Sequence, residues 1–158
     1  MATHDVSDRE VIISRVLDAP RKLVWEAMTN PKHIVNWWGP SGFTTTIESM
    51  DLRVGGEWKY MMVGPDGTRF PNHMVYKEII PLFKLVSDHG DGERVWFEGT
   101  VSLQDTNGGT LVTLRHLFPN KESRDEVVEK YGAIEGGKQH LAKLEAYVKA
   151  NLISIRSL

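Results

Sequence analysis

Residues 43–118 read as six short apolar runs separated by turn chemistry, and a long amphipathic helical stretch follows them. The runs are Phe43–Leu52, Glu57–Val63, Thr68–Ile80, Leu82–Ser87, Arg94–Leu103 and Thr110–Phe118. Gly64-Pro65-Asp66-Gly67, Asp88-His89-Gly90-Asp91-Gly92 and Asp105-Thr106-Asn107-Gly108-Gly109 supply the residues that hairpin turns need for positive φ. Short strands joined this way pair antiparallel, and the sheet they form twists. Something must cover its apolar face, and the C-terminal stretch is able to. After a capping-box pattern at Ser123-Arg124-Asp125-Glu126, residues Val127, Tyr131, Ile134, Leu141, Leu144 and Val148 recur at roughly helical spacing. This predicts one helix running to about Ala150, about 40 Å long, with Leu141, Leu144 and Val148 turned inward.

Upstream, Arg9–Leu17 reads as a strand on Val11-Ile12-Ile13 and Val16-Leu17. Pro20 opens a short helix carrying Leu23, Val24, Ala27 and Met28. Asn30-Pro31 opens a second, carrying Ile34, Trp37 and Trp38, which Gly39-Pro40-Ser41-Gly42 breaks. The expected fold class is therefore α+β, a curved seven-stranded antiparallel sheet wrapped on a long C-terminal helix, with two short helices after the first strand. A chain of 158 residues is enough for one core, divided as a tail over 1–8, one domain over 9–152 and a tail over 153–158.

One helix cannot fill all the space a curved sheet encloses, so an internal cavity is expected. Alternation sets Trp58, Tyr60 and Met62 opposite Glu57 and Lys59, Phe97 and Gly99 opposite Glu98 and Thr100, and Leu114 and His116 opposite Thr113 and Arg115. The candidate lining residues are Trp58, Tyr60, Met62, Met74, Tyr76, Phe97, Leu114, His116, Gly137 and Leu141. Ordinary core packing is the competing reading for each aromatic and methionine.

Composition narrows the chemistry. The absence of cysteine excludes disulfides and thiolate ligands and suits a reducing compartment, so a cytoplasmic location is expected. Nineteen basic against 21 acidic residues leave no electrostatic footprint for nucleic acid. The N-terminus lacks a signal-peptide pattern, and no segment has the apolar length to insert in a membrane. No serine-hydrolase elbow, phosphate loop, dinucleotide fingerprint or His-Glu-x-x-His motif occurs, so neither catalytic residues nor a cofactor is assigned. His4, His33, His73, His89, His116 and His140 are scattered, and His73 meeting His116 across the sheet is the only route to a metal, so none is assigned. His116 interrupts an apolar face. It could contact a ligand or act as acid or base, or it could be satisfied by its neighbours. Tyr60, Asn72 and Tyr76 could orient a ligand, and Glu78 or Glu98 could supply a base unless each simply faces solvent.

Val16-Leu17-Asp18-Ala19-Pro20, Val24-Trp25-Glu26-Ala27-Met28-Thr29-Asn30-Pro31, Trp37-Trp38-Gly39-Pro40, Asp51-Leu52-Arg53-Val54-Gly55-Gly56-Glu57-Trp58 and Gly109-Thr110-Leu111-Val112-Thr113-Leu114-Arg115-His116 follow one another in an order that resembles the SRPBCC (START-like) superfamily. Within it, the chain is most similar to proteins like the C-terminal domain of the activator of the ninety-kilodalton heat-shock-protein ATPase. The resemblance runs from about residue 10 to about residue 150. It implies the helix-grip fold and a deep hydrophobic cavity, and it implies no reaction. The activator itself carries a separate N-terminal domain that this sequence does not contain, so chaperone activation is not carried over. Relatives commonly have Gly-Trp where this chain has Gly136-Gly137, and the missing indole suggests a larger or differently shaped pocket. Gly132, Gly136 and Gly137 each cost a helix interior about 1 kcal/mol relative to alanine. Either the helix bends here or something packs closely against it.

The expected function is non-catalytic binding of a small apolar or aromatic molecule. The alternatives are an enzyme of cyclase, hydrolase or dehydratase type using His116 with Tyr60 or a glutamate, and a co-chaperone-like interaction module. Self-association into a homodimer is left open.

Overall fold

The computed structural model describes residues 7–153. His4 and almost all of the tails expected at 1–8 and 153–158 lie outside them. β1 (Glu10–Leu17) is followed by α1 (Arg21–Thr29) and α2 (Pro31–Ile34). The meander then runs through β2 (Thr44–Met50), β3 (Glu57–Val63), β4 (Arg69–Ile80), β5 (Lys84–Gly90), β6 (Val95–Thr106) and β7 (Gly109–Leu117). α3 (Lys121–Tyr131) and α4 (Ala133–Val148) close the fold. The seven strands form one antiparallel sheet in the order β1-β7-β6-β5-β4-β3-β2. The meander pairs each strand with its neighbour in sequence, and β7 returns to lie beside β1. This is the α+β helix-grip arrangement.

Alternation decides the faces. On β1, Val11, Ile13 and Leu17 are buried while Ile12 and Val16 point outward. On β3 and β4, Trp58, Tyr60, Met74 and Tyr76 are buried. α4 covers this concave face with Leu141, Leu144 and Val148, all essentially inaccessible, as their spacing requires. Burial of each stabilises the fold by roughly 1.5–3 kcal/mol. Pro20 opens α1, and Asn30 caps α2 by accepting from the Lys32 N–H at 2.9 Å. The chain after α2 is anchored by Trp37, whose indole Nε1–H donates to the Ala27 carbonyl at 3.0 Å inside the core.

Four expectations change. The second short helix, expected to carry Trp37 and Trp38, ends at Ile34, and both indoles follow it. The single C-terminal helix is two, separated by Gly132 in the left-handed region at φ 62, where its N–H caps α3 on the Val127 carbonyl. The break resets the helical phase, so Tyr131 is 70% exposed and Ile134 also faces solvent rather than the sheet. The capping box at Ser123 is not the start of the helix: Asn120 caps α3, accepting from the Ser123 N–H at 2.8 Å. The segment Asp88-His89-Gly90, expected as a turn, is the end of β5. The register shifts at Gly90, where a Cβ would collide with the Arg94 carbonyl, so glycine here serves a bulge rather than a turn.

Candidate functional site

Curvature of the sheet away from α4 leaves a chamber of about 300 Å³ between the concave face and the α3–α4 corner. Its sheet wall carries Tyr60, Met62, Phe97, Leu114, His89 and His116, and its helical wall carries Gly136, Gly137 and His140. Trp96, Val127 and Tyr131 stand at one end, where Trp96 and Tyr131 also reach solvent. None of the lining residues is Asp, Glu, Lys or Arg. A shallower hollow of about 400 Å³ lies over Lys59 and His73. It includes charged groups such as Glu48 and Asp91, and His73 Nε2 is already 2.6 Å from Glu57 Oε1 beside it, so it reads as solvated surface.

Of the ten residues expected to line a cavity, six stand on the chamber wall: Tyr60, Met62, Phe97, Leu114, His116 and Gly137. Trp58, Met74, Tyr76 and Leu141 are buried in the packed core instead. Trp58 stacks on Tyr60 with ring centroids 4.1 Å apart and meets Trp38 edge-on at 4.8 Å, so it backs the wall rather than forming it. Gly137 faces β1 closely, and a Cβ there would run into the Ile13 Cδ1. Both consequences expected of the glycines are therefore present, a break at Gly132 and close packing at Gly137. Glu98 and Glu78 pair with Lys77 at 2.6 Å and Lys84 at 3.3 Å, and neither lines the chamber.

Three histidines enter the chamber from three elements. His89 on β5 and His116 on β7 flank Phe97 of β6 in a stacked row, with centroid separations of 4.6 and 4.3 Å. Gly99 makes room for this row, since a Cβ there would meet His89 Nε2 at 2.7 Å. His89 Nε2 is 3.0 Å from Ser87 Oγ. His140, on α4, accepts the Gly39 N–H through Nδ1 at 3.1 Å and packs edge-on against Trp38 at 4.6 Å. Lys143 and Gln139 hold the same corner, through the Gly39 and Pro40 carbonyls at 3.1 and 3.2 Å and the Ser41 N–H at 3.2 Å. Sequence reading placed His116 on the concave face but missed His89, hidden in apparent turn chemistry, and His140, whose role depends on a loop a hundred residues away.

Burial holds all three histidines neutral. It lowers His89 and His140 to about 3, with like charge on neighbouring histidines adding to the effect, and lowers His116 to about 4. Burial likewise raises the Tyr60 hydroxyl above its usual range. A base this weak is poorly matched to proton abstraction at neutral pH. Among the described residues, no three His, Asp or Glu side chains converge with metal-holding geometry. His73, on the outward face with Glu57, does not meet His116. No described helix is long and apolar enough to cross a membrane.

The family described as activator of Hsp90 ATPase homolog 1-like protein matches residues 18–149. No curated protein matches the sequence. Among solved structures, a protein from Nitrosomonas europaea is 26% identical with a TM-score of 0.82, the alignment covering 91% of this chain and 96% of that one. A protein from Arthrobacter aurescens is 25% identical with a TM-score of 0.83, covering 95% and 91%. One from Mycobacterium smegmatis, at 23% identity and a TM-score of 0.83 over 94% and 96%, shares the fold.

Proposed function

We propose that this chain, which belongs to the activator of Hsp90 ATPase homolog 1-like family, is a non-catalytic receptor that encloses a small, largely apolar or aromatic molecule in a reducing, cytoplasmic setting. The observation that carries the reading is the chamber: about 300 Å³, walled mostly by aromatic and aliphatic side chains with Asn72, Thr100 and three histidines among them, and with no Asp, Glu, Lys or Arg on its lining. Its volume lies at the lower end of the roughly 300–1,000 Å³ of small-molecule sites, which favours a compact guest. A helix-grip fold of the SRPBCC type commonly holds hydrophobic ligands, and that supports the same reading.

An enzymatic role is less well supported, because His116 is held neutral far below pH 7 and the candidate glutamates are absent from the chamber wall. Native mass spectrometry of freshly purified protein, followed by organic extraction, tests the proposal. A retained apolar molecule, or stoichiometric uptake of an environment-sensitive apolar dye that is lost when Leu114→Trp narrows the chamber, is expected. Dye uptake that survives the narrowing would place the guest elsewhere and refute the assignment.

A further inference from the structure

The tautomer of His140 is determined by its partner. A backbone N–H can only donate, so the Gly39 N–H, 3.1 Å from Nδ1, requires a lone pair there. Neutral imidazole then carries its proton on Nε2. The contacts with Trp37 and Trp38, at 4.8 and 4.6 Å between ring centroids, hold the ring in that orientation. Among the described residues no protein group accepts from His140 Nε2, and none bonds either nitrogen of His116. Among the described residues, the sealed side-chain atoms that lack a partner are Trp58 Nε1 and Thr106 Oγ1, so the unpaired histidine nitrogens are not shut away in the packing. Both rings line the chamber. Besides the polar side chains of Tyr60, Asn72, Thr100, Tyr131 and His89, it therefore offers one N–H donor of fixed position and one imidazole free to donate or accept, in a wall without charged residues.

Charge on the guest has no counterpart. No Asp, Glu, Lys or Arg lines the chamber, and the ammonium of Lys143, one turn along α4 from His140, is engaged by the Gly39 and Pro40 carbonyls. An anion would enter without a cation, at the desolvation cost of an unpaired charge. A bare hydrocarbon would leave the His140 donor unsatisfied, which is also unfavourable.

Resting on the receptor reading above, we infer that the chamber contains a polar anchor, formed by the His140 Nε2–H with His116, that selects an uncharged apolar molecule bearing a hydroxyl or carbonyl oxygen over both the bare hydrocarbon and the anion. The anchor orients the guest, with its oxygen toward α4 and its flat apolar body along the His89-Phe97-His116 row.

Equilibrium dialysis at pH 7 with naphthalene, 2-naphthol and 2-naphthoate tests this. Wild type is expected to bind 2-naphthol about tenfold more tightly than naphthalene, the worth of one well-placed hydrogen bond, and 2-naphthoate most weakly. His140→Phe brings 2-naphthol down to the affinity of naphthalene, and His140→Gln, which keeps an N–H in that region, retains part of the preference. In wild type, without any substitution, the ¹⁵N resonance of His140 Nε2 shifts with 2-naphthol and not with naphthalene. Equal binding of naphthol and naphthalene, tightest binding of naphthoate, a preference that survives His140→Phe, or an unmoved His140 resonance each overturns the anchor while leaving the chamber as a receptor. Binding of none of the three overturns the receptor reading as well.

Discussion

Acid should unfold this protein well above the range in which carboxylates titrate, because the chamber keeps three imidazoles neutral. His89 and His140 lie near 3 and His116 near 4 in the folded state, against about 6.5 in an unfolded chain. Folded-state values below the unfolded one mean that the unfolded state binds more protons between about pH 4 and 6.5, so stability is complete above that window and is lost as pH falls through it. From pH 7 to pH 5 each histidine costs up to roughly 2 kcal/mol, and the three together roughly 5 to 6, comparable with a whole domain's stability of about 5–15 kcal/mol. The steepest slope approaches about 4 kcal/mol per pH unit, close to three protons. Carboxylates held low by hydrogen bonds, such as Asp66, Asp91 and Asp125, act in the same direction but mainly below about pH 5, so the part of the window above pH 5 belongs to the histidines. Urea unfolding followed by tryptophan fluorescence at pH 7, 6 and 5 gives the slope. His116→Phe, which removes no hydrogen bond among the described residues, should reduce it by one proton, about 1.4 kcal/mol per pH unit. A wild-type slope of one proton or less, or an unchanged slope in His116→Phe, would refute the reasoning.

Gly137→Trp should abolish uptake of an apolar dye, since the indole can enter only by displacing the Ile13 Cδ1 and extending into the chamber. Thermal melts should show a loss of about 1–3 kcal/mol from overpacking, and undiminished dye uptake would show that the ring turns away. Leu144→Ala, at a site with no accessible surface, should cost about 2–5 kcal/mol in denaturant unfolding; a cost below 1 kcal/mol, well under that range, would show that α4 is loosely docked. Asn120→Ala should cost about 0.5–2 kcal/mol and speed amide exchange at Ser123, whose N–H loses its acceptor. Unchanged exchange at Ser123 would rule out Asn120 as the cap.

Local chemistry determined most of the fold. The period of two in Trp58, Tyr60 and Met62, and of Val112, Leu114, His116 and Phe118, assigned their faces because each strand repeats its side-chain direction every second residue. The spacing of Leu141, Leu144 and Val148 assigned the inward face of α4 in the same way. Alternation reports a face but not a depth. That Tyr60 and Met62 border empty space while Trp58, Met74, Tyr76 and Leu141 sit in the packed core depends on how far the sheet curves from α4, which no local pattern contains. The break at Gly132 had a local signal, three glycines in one helical stretch, but its place followed from the cap it makes on Val127. The histidine cluster was decided by tertiary structure alone. His89, His116 and His140 are far apart in sequence and meet because β5 and β7 flank β6 while α4 crosses above them, and the tautomer of His140 is set by the backbone of Gly39, 101 residues away.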